Sequence, residues 1–254
     1  MVENIRFDKG RHPRGKIGFV VLAMEQTVED DVFVTTPAGV GVHFTRVPMS
    51  NQVTAETLAA MEPGIVDAAA LLLPQGDLTV LCYTCNSGTM VIGEQKVMAA
   101  LKRANPGAEA TTVMTGVIRA LRALKAKKLM VVTPYVDDVN VHVRRFLSER
   151  GFEITALHGM GIEDNSDIDR MEPEFIREYV RGLDVSGVDA VALVCGAMRT
   201  MDIVGALEKD LGLPVIASNQ AMMWDCLRLC GVDDDFPAYG RIFSLKTAAH
   251  KEVC

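Results

Sequence analysis

Two cysteines stand out by position. Cys85 closes an apolar run in "DLTVLCYTCNSGT", and Cys195 closes one in "DAVALVCGAMRT". Asn86, Ser87 and Gly88 follow the first; Gly196 and Ala197 follow the second. A strand-to-helix turn of small residues offers backbone N–H groups at a helix start, where an anion is favoured. The same dipole should lower a thiol's pKa and favour the reactive thiolate. Cysteine is also among the most buried residue types, so one strand-end cysteine alone would read as packing. Two at matching places change that reading. If the two runs face each other, a flat substrate between them meets an acid or base on each face. Such a pair can remove a proton from one side of a carbon and return it on the other. It also suits thiolate addition to a double bond with protonation by the opposing thiol.

The other cysteines carry weaker signals. Cys82 and Cys85 form a C-x-x-C, but a redox pair of this type opens a helix. Cys82 falls inside the predicted strand, so the two side chains should diverge. Zinc would need further ligands at suitable spacing, and the sequence offers none. Cys226 and Cys230 sit four apart on a predicted helix and read as packing; Cys254 is terminal and carries no role. The five histidines (His12, His43, His142, His158, His250) share no ligand spacing and read as surface or satisfied core residues. The chain has no P-loop and no G-x-S-x-G elbow. The turn Ala23–Thr27 lacks glycine, which argues against a dinucleotide fingerprint.

The elements that position the pair alternate strand and helix. Strands are expected near 17–22, 41–47, 79–83 and 110–114, then 129–133, 152–157, 190–195 and 215–217. Helices are expected near 55–73, 91–104, 116–125, 136–150, 174–183, 203–211 and 221–229. Runs such as "KLMVVT" and "DAVALVC" are apolar throughout, as in parallel strands covered on both faces. Gly151 after "RRFLSER" and Pro173 before "EFIREYV" punctuate the helices. The alternation predicts an α/β fold with crossover connections.

The second half repeats the first. "KIGFVVLA" matches "KLMVVTPY", "GVHFTRV" matches "FEITALHG", and "ATTVMTGVIRALRAL" matches "PVIASNQAMMWDCLRL", each roughly 110 residues apart. Solenoid periods are shorter, about 20–50 residues. The repeat predicts two pseudo-symmetric halves, each a mostly parallel four-stranded sheet flanked by helices. The site should lie in the cleft between them. The expected division gives 16–125 and 213–232 to the first half, with C-terminal exchange, and 126–212 to the second. Residues 1–15 and 233–254 are expected to be terminal arms, and the acid runs Asp233–Asp235 and Glu163-Asp164 solvated loops.

Composition bounds the rest. The 254 residues are 49% hydrophobic and 23% charged, an ordinary globular balance. The net charge of −7 argues against nucleic-acid binding; the basic start (Arg6, Lys9, Arg11, Arg14, Lys16) reads as a solvated arm. The longest apolar stretch, 68–74, is far short of the roughly 20 residues that span a membrane. With no signal pattern in 1–15, the expected location is cytoplasmic.

These residues together resemble the aspartate/glutamate racemase superfamily, in the branch of maleate cis-trans isomerases and arylmalonate decarboxylases. The carrying motifs are "IGFVVLAMEQTVEDD", "CYTCNSGTMVIGE", "TPYVDDVN", "GFEITALHGMGIEDN", "LVCGAMRT" and "PVIASNQAMMW". Racemase-like proteins of ectoine utilisation are most similar, through "VLAMEQT", "CNSGTMVIGE" and "SNQAMMWDCLRLCGV". The resemblance implies catalysis without a cofactor, with Cys85 and Cys195 as the thiols, a small carboxylate as substrate, and a homo-oligomer. It implies carboxylate binding by Asn86, Ser87, Gly196 and Ala197, with Tyr135 and Asn165 as further binding residues. Decarboxylases of the branch keep only the cysteine matching Cys195, so both thiols lean against a simple decarboxylase. A non-catalytic binding protein would not need both. Glu25 stands where maleate isomerases hold an asparagine, which suggests pairing with an ammonium or amidinium on the substrate. The alternative for Glu25 is a helix-start residue facing solvent. The leading reading is a racemase or epimerase working alpha to a carboxylate; the alternative is cis-trans isomerisation by cysteine addition.

Overall fold

A computed structural model describes residues 4–50, 54–74 and 77–253. Cys254 and residues 1–3 lie outside the described residues. In the first half, the order is β1 (Gly15–Leu22), α1 (Val28–Val34), β2 (Val40–Val47), α2 (Ala55–Ala59), α3 (Glu62–Ala70), β3 (Val80–Tyr83), α4 (Asn86–Ile92), α5 (Glu94–Ala104), β4 (Glu109–Thr112) and α6 (Val113–Ala123). The second half runs β5 (Lys128–Thr133), α7 (Asp137–Ser148), β6 (Glu153–Gly159), α8 (Asn165–Asp169), α9 (Pro173–Arg181), β7 (Ala190–Leu193), α10 (Met201–Leu211), β8 (Val215–Ala217) and α11 (Ser218–Leu229). Two 3-10 turns and α12 (Thr247–Lys251) follow.

The two sheets have the same order under the repeat: β2-β1-β3-β4 and β6-β5-β7-β8, with every pairing parallel. Each central strand is buried on both faces, which is why β3 (VLCY) and β7 (AVAL) carry no polar residue. Alternation sorts β1 between two cores. Ile17, Phe19 and Val21 join a core shared with the second half, while Val20 and Leu22 face a core belonging to the first half. The same rule separates Cys82 from Cys85. Cys82 lies in the shared core and Cys85 in the other, and both are free thiols.

The boundaries differ from the sequence reading in several places. Strand β8 pairs with β7, so residues 215–217 belong to the second sheet, not the first. Helix α11 reaches across, packing on its repeat partner α6. A Cβ on Gly116 would lie 3.0 Å from the Ala221 carbonyl, so the glycine lets the helices meet backbone to backbone. The C-terminal segment is not a free arm. Ile242, Phe243 and His250 are buried, and the carbonyl of Leu245 accepts from Trp224 Nε1 (2.9 Å) and Arg228 Nε (2.8 Å). The acid run there is not merely solvated: Asp233 pairs with Arg228 and Asp234 with Arg14. The helix expected over 55–73 breaks into α2 and α3, with Pro63 in the first turn of the second. Helix α1 lies within a stretch that the sequence reading left unassigned.

Beneath α6 and α11 sits a closed polar cluster. Asp225, fully buried, accepts from Thr111 Oγ1 (2.6 Å), Arg119 Nη1 (3.0 Å) and His250 (2.6 Å). Burial pushes this carboxyl's pKa up, but the His250 bond, the Arg119 charge and Thr111 outweigh it, and the net shift is downward.

Candidate active site

Each thiol comes from the C-terminal end of a central strand, but the two turns differ. Cys85 is the N-cap residue of α4, and its Sγ accepts from the Gly88 N–H at 3.2 Å. Gly88 is there for space. A Cβ would sit 2.6 Å from the Tyr83 hydroxyl and 3.0 Å from the Cys85 sulfur. Cys195 is followed by an irregular turn, and α10 begins only at Met201. The Tyr135 hydroxyl and the amides of Ala197 and Met198 favour the Cys195 anion. The expected helix start at both cysteines therefore exists only at Cys85.

Both thiols are about 95% buried, each with 5% exposure. They line one cavity of about 340 Å³, mouth included, together with Leu22, Glu25, Met49, Thr84, Asn86, Ser87, Tyr135, Asn165, Gly196 and Ala197. All nine residues singled out from the sequence thus share a single cavity. Leu22, Met49 and Thr84 were not singled out; Leu22 and Thr84 directly follow or end strands, the one signal that could have found them.

Burial reverses the expected acidity. It pushes Cys195 up to about 12, against the help of Tyr135 and the turn amides, and the Glu25 charge adds to the rise. Cys85 is also raised, chiefly by burial, although Gly88, Ser87 and Tyr83 stabilise its anion. A single turn of donors does not offset the loss of water around sulfur. Both groups are therefore thiols at neutral pH.

Tyr135 lines the cavity with both thiols. Its hydroxyl is close enough to Cys195 and Ser87 to interact with both, and Cys85 also contributes to its field. Ser87 Oγ lies 3.6 Å from the Cys85 sulfur. Burial holds the phenol well above its ordinary pKa, so it acts as a neutral donor.

Glu25 does not face solvent. Its Oε1 accepts from the N–H groups of Gln26 (3.1 Å), Thr27 (2.8 Å) and Val28 (3.1 Å), capping α1 where Thr27 makes no side-chain cap. Its Oε2 has no hydrogen-bond partner among the described residues, and no cation lines the cavity. Arg46 spends its Nη1 on the carbonyls of Leu22 and Glu25 and pairs with Glu29. Burial raises the Glu25 pKa above the ordinary carboxylate range.

Two expected substrate ligands are already engaged with each other. Asn86 Oδ1 accepts the Gly196 N–H at 2.9 Å, and Asn86 Nδ2 donates to Ser218 Oγ at 2.8 Å. These bonds join the cysteine turns across the halves, so Asn86 and Gly196 frame the cavity rather than offer free donors to it. Asn165 opens α8 and donates to Asp169 Oδ2 at 3.1 Å, which also accepts from Gln26 Nε2 at 3.1 Å. Ser87, Tyr135 and the Ala197 turn remain as donors facing the thiols.

The sequence profile of arylmalonate decarboxylase matches residues 49–243. The chain belongs to the arylmalonate decarboxylase family. Within this family setting, the arylmalonate decarboxylase of Bordetella bronchiseptica is 32% identical over 195 residues, covering 75% of this chain and 81% of that one. A maleate isomerase of Pseudomonas putida is 28% identical over 244 residues, covering 90% and 97%. Among solved structures, a cysteine-to-serine variant of the Nocardia farcinica maleate cis-trans isomerase, carrying a covalently bound succinylcysteine intermediate, superposes with a TM-score of 0.83. It is 26% identical and covers 91% of this chain and 98% of its own. The shared architecture is the pair of four-stranded parallel sheets described above. Among the described residues no helix is long and apolar enough to cross a membrane.

Proposed function

We propose that this protein is a cofactor-independent isomerase that interconverts the cis and trans forms of a small unsaturated carboxylic acid through its two cysteines. The observation that carries this reading is the placement of Cys85 and Cys195 on equivalent strand ends of the two halves, lining one buried cavity. The bound succinylcysteine of the Nocardia relative supports an addition route, because it is the type of adduct such a route forms.

The steps balance without a co-reactant. The Cys85 thiol passes its proton to the substrate carboxylate as its sulfur bonds to one alkene carbon, and takes that proton back when the C–S bond breaks. The Cys195 thiol protonates the other carbon, leaving a single bond that can rotate. The Cys195 thiolate takes a proton back from that carbon, the C–S bond breaks, and the rotated alkene leaves. Charge that builds on the substrate carboxylate is met by the Tyr135 and Ser87 hydroxyls and the Ala197 turn, fixed dipoles in a dry site. The raised Cys195 thiol suits the proton donor; the cap position of Cys85 suits the nucleophile.

Glu25 narrows the substrate. A second carboxylate about 4 Å from it would cost perhaps 1–4 kcal/mol at an effective dielectric of 20–80. The unpartnered Oε2 instead favours a substrate carrying a protonated nitrogen at the end remote from its carboxylate.

Proton transfer alpha to a carboxylate, as in a racemase, is the second reading. The two thiols on equivalent strand ends, lining one cavity, favour it, since each face of a carbon would then meet a thiol. Incubation in deuterated water with cis-unsaturated acids, with and without an amino group, and with saturated amino acids separates the two. Loss of the cis alkene and a transient protein adduct are expected. Deuterium entering only saturated amino acids at the alpha carbon would establish the second reading and overturn the first.

A further inference from the structure

The Cys195 turn is held on both sides of one residue. The Gly196 N–H goes to Asn86, and the Gly196 carbonyl accepts from Asn219 Nδ2 at 2.7 Å. The second hydrogen of that same nitrogen goes to Asp31 Oδ2 at 2.8 Å. Asn219 is 1% exposed, and its Oδ1 is buried with no partner. Leaving that oxygen unpaired is costly, so something must select the orientation. The reversed amide would set Oδ1 against the Gly196 carbonyl and the Asp31 carboxylate together, two acceptors facing an acceptor. Space fixes the arrangement too, because a Cβ on Gly196 would lie 3.0 Å from Oδ1.

Asp31 lies on α1, the helix that Glu25 caps, and Thr27 at its start donates to the Ala197 carbonyl at 3.2 Å. Among the described residues, the Asp31 side chain has Asn219 as its hydrogen-bond partner and no cation in contact. Burial pushes its carboxyl up to about 7, with Asp202, Glu25 and Asp30 adding to the rise. An acid buried among other acids without an ion pair is there for what it accepts, not for its charge.

We infer that Asp31, acting through Asn219, is a positioning residue that sets the Cys195 turn from the opposite half. The inference rests on the proposed function only in treating Cys195 as a reacting thiol. The consequence is directional. Without Asp31, Asn219 loses its orientation, the Gly196 carbonyl is released, and the Ala197 and Met198 amides no longer converge on sulfur. The Cys85 turn keeps its own cap, the Gly88 N–H on the Cys85 sulfur, and meets the Cys195 turn through the Asn86 side chain rather than through its backbone amides.

The test compares the two turns within one protein. Hydrogen exchange of Asp31→Ala should rise about tenfold, the equivalent of one hydrogen bond, in the peptide holding Gly196–Met198, and stay unchanged in the peptide holding Asn86–Gly88. Iodoacetamide labelling of Cys195, read by peptide mass, should slow about tenfold relative to Cys85. Asp31→Asn keeps an acceptor oxygen and should restore both. Equal exchange changes in the two peptides, no change at Gly196–Met198, unmoved Cys195 labelling, or failure of Asp31→Asn to restore would each overturn the inference. Failure of the proposed function reads differently: the unmodified protein converts no unsaturated acid, while the contrast between turns persists.

Discussion

The two halves share a sheet order yet present opposite chemistry to the cavity. After β1 the first half offers Glu25, a carboxylate with one free oxygen; after β5 the second half offers Tyr135, a neutral donor. After β3 the thiol caps a helix; after β7 it sits in a loose turn that other side chains must hold. Duplication supplied two equivalent thiols, and the neighbours made them unlike. The lesson is that a repeat fixes where reactive groups stand, whereas the residues two or three positions away decide what each can do.

The largest effect should come from removing the thiols one at a time. Cys85→Ser and Cys195→Ser should each lower isomerisation by at least roughly a thousandfold. Only Cys195→Ser should still accumulate a substrate adduct, seen as added mass on Cys85. An adduct on Cys195 in the Cys85→Ser protein would invert the assigned roles.

Next is the cluster that docks the halves. Asp225→Ala removes the buried carboxylate that accepts from Thr111, Arg119 and His250 and should cost about 3–5 kcal/mol, read as a lower urea midpoint. The sign with pH follows from the depressed Asp225 pKa. Its contribution is present above the unfolded aspartate value near 3.9 and is lost as pH falls through the lower folded value. Acid titration of the unmodified protein should therefore lose stability in that window more steeply than Asp225→Asn does.

Tyr135→Phe removes a hydroxyl donor from the cavity that holds both thiols and should lower turnover by about a hundredfold, in the range for one such donor. A loss confined to KM would make the tyrosine a mere binding contact.

Glu25→Gln sharpens the asymmetry most directly. The amide keeps an oxygen to cap α1 but removes the charge that raises both thiols. Labelling of Cys85 and Cys195 at pH 8 should quicken several-fold, and preference should move from amino-bearing acids toward diacids. Unchanged turnover of a cationic substrate would end the pairing role.

The smallest is a pH profile. Because burial raises both thiols, labelling in the empty site should keep rising through pH 9 with no plateau near neutrality. A plateau below pH 8 would show that the helix start at Cys85 outweighs burial after all.

Much of this was open to reading from residues alone. The apolar runs ending in Cys85 and Cys195 announced central strands, because a strand covered on both faces has no place for polar residues. Their spacing announced a duplicated parallel fold, and Glu25, Tyr135 and Asn165 could be set beside it by motif. What linear sequence could not carry was who spends hydrogen bonds on whom. Asn86 and Gly196 look like free donors until the halves close and they bind each other. Glu25 reads as a substrate partner or, alternatively, a solvent-facing helix-start acid until its three backbone N–H partners appear. The thiols look acidified by their turns until desolvation, a property of everything packed around them, pushes the other way. Chain order sets local pattern and periodicity; burial and partnership belong to the assembled core, and here they decide the chemistry.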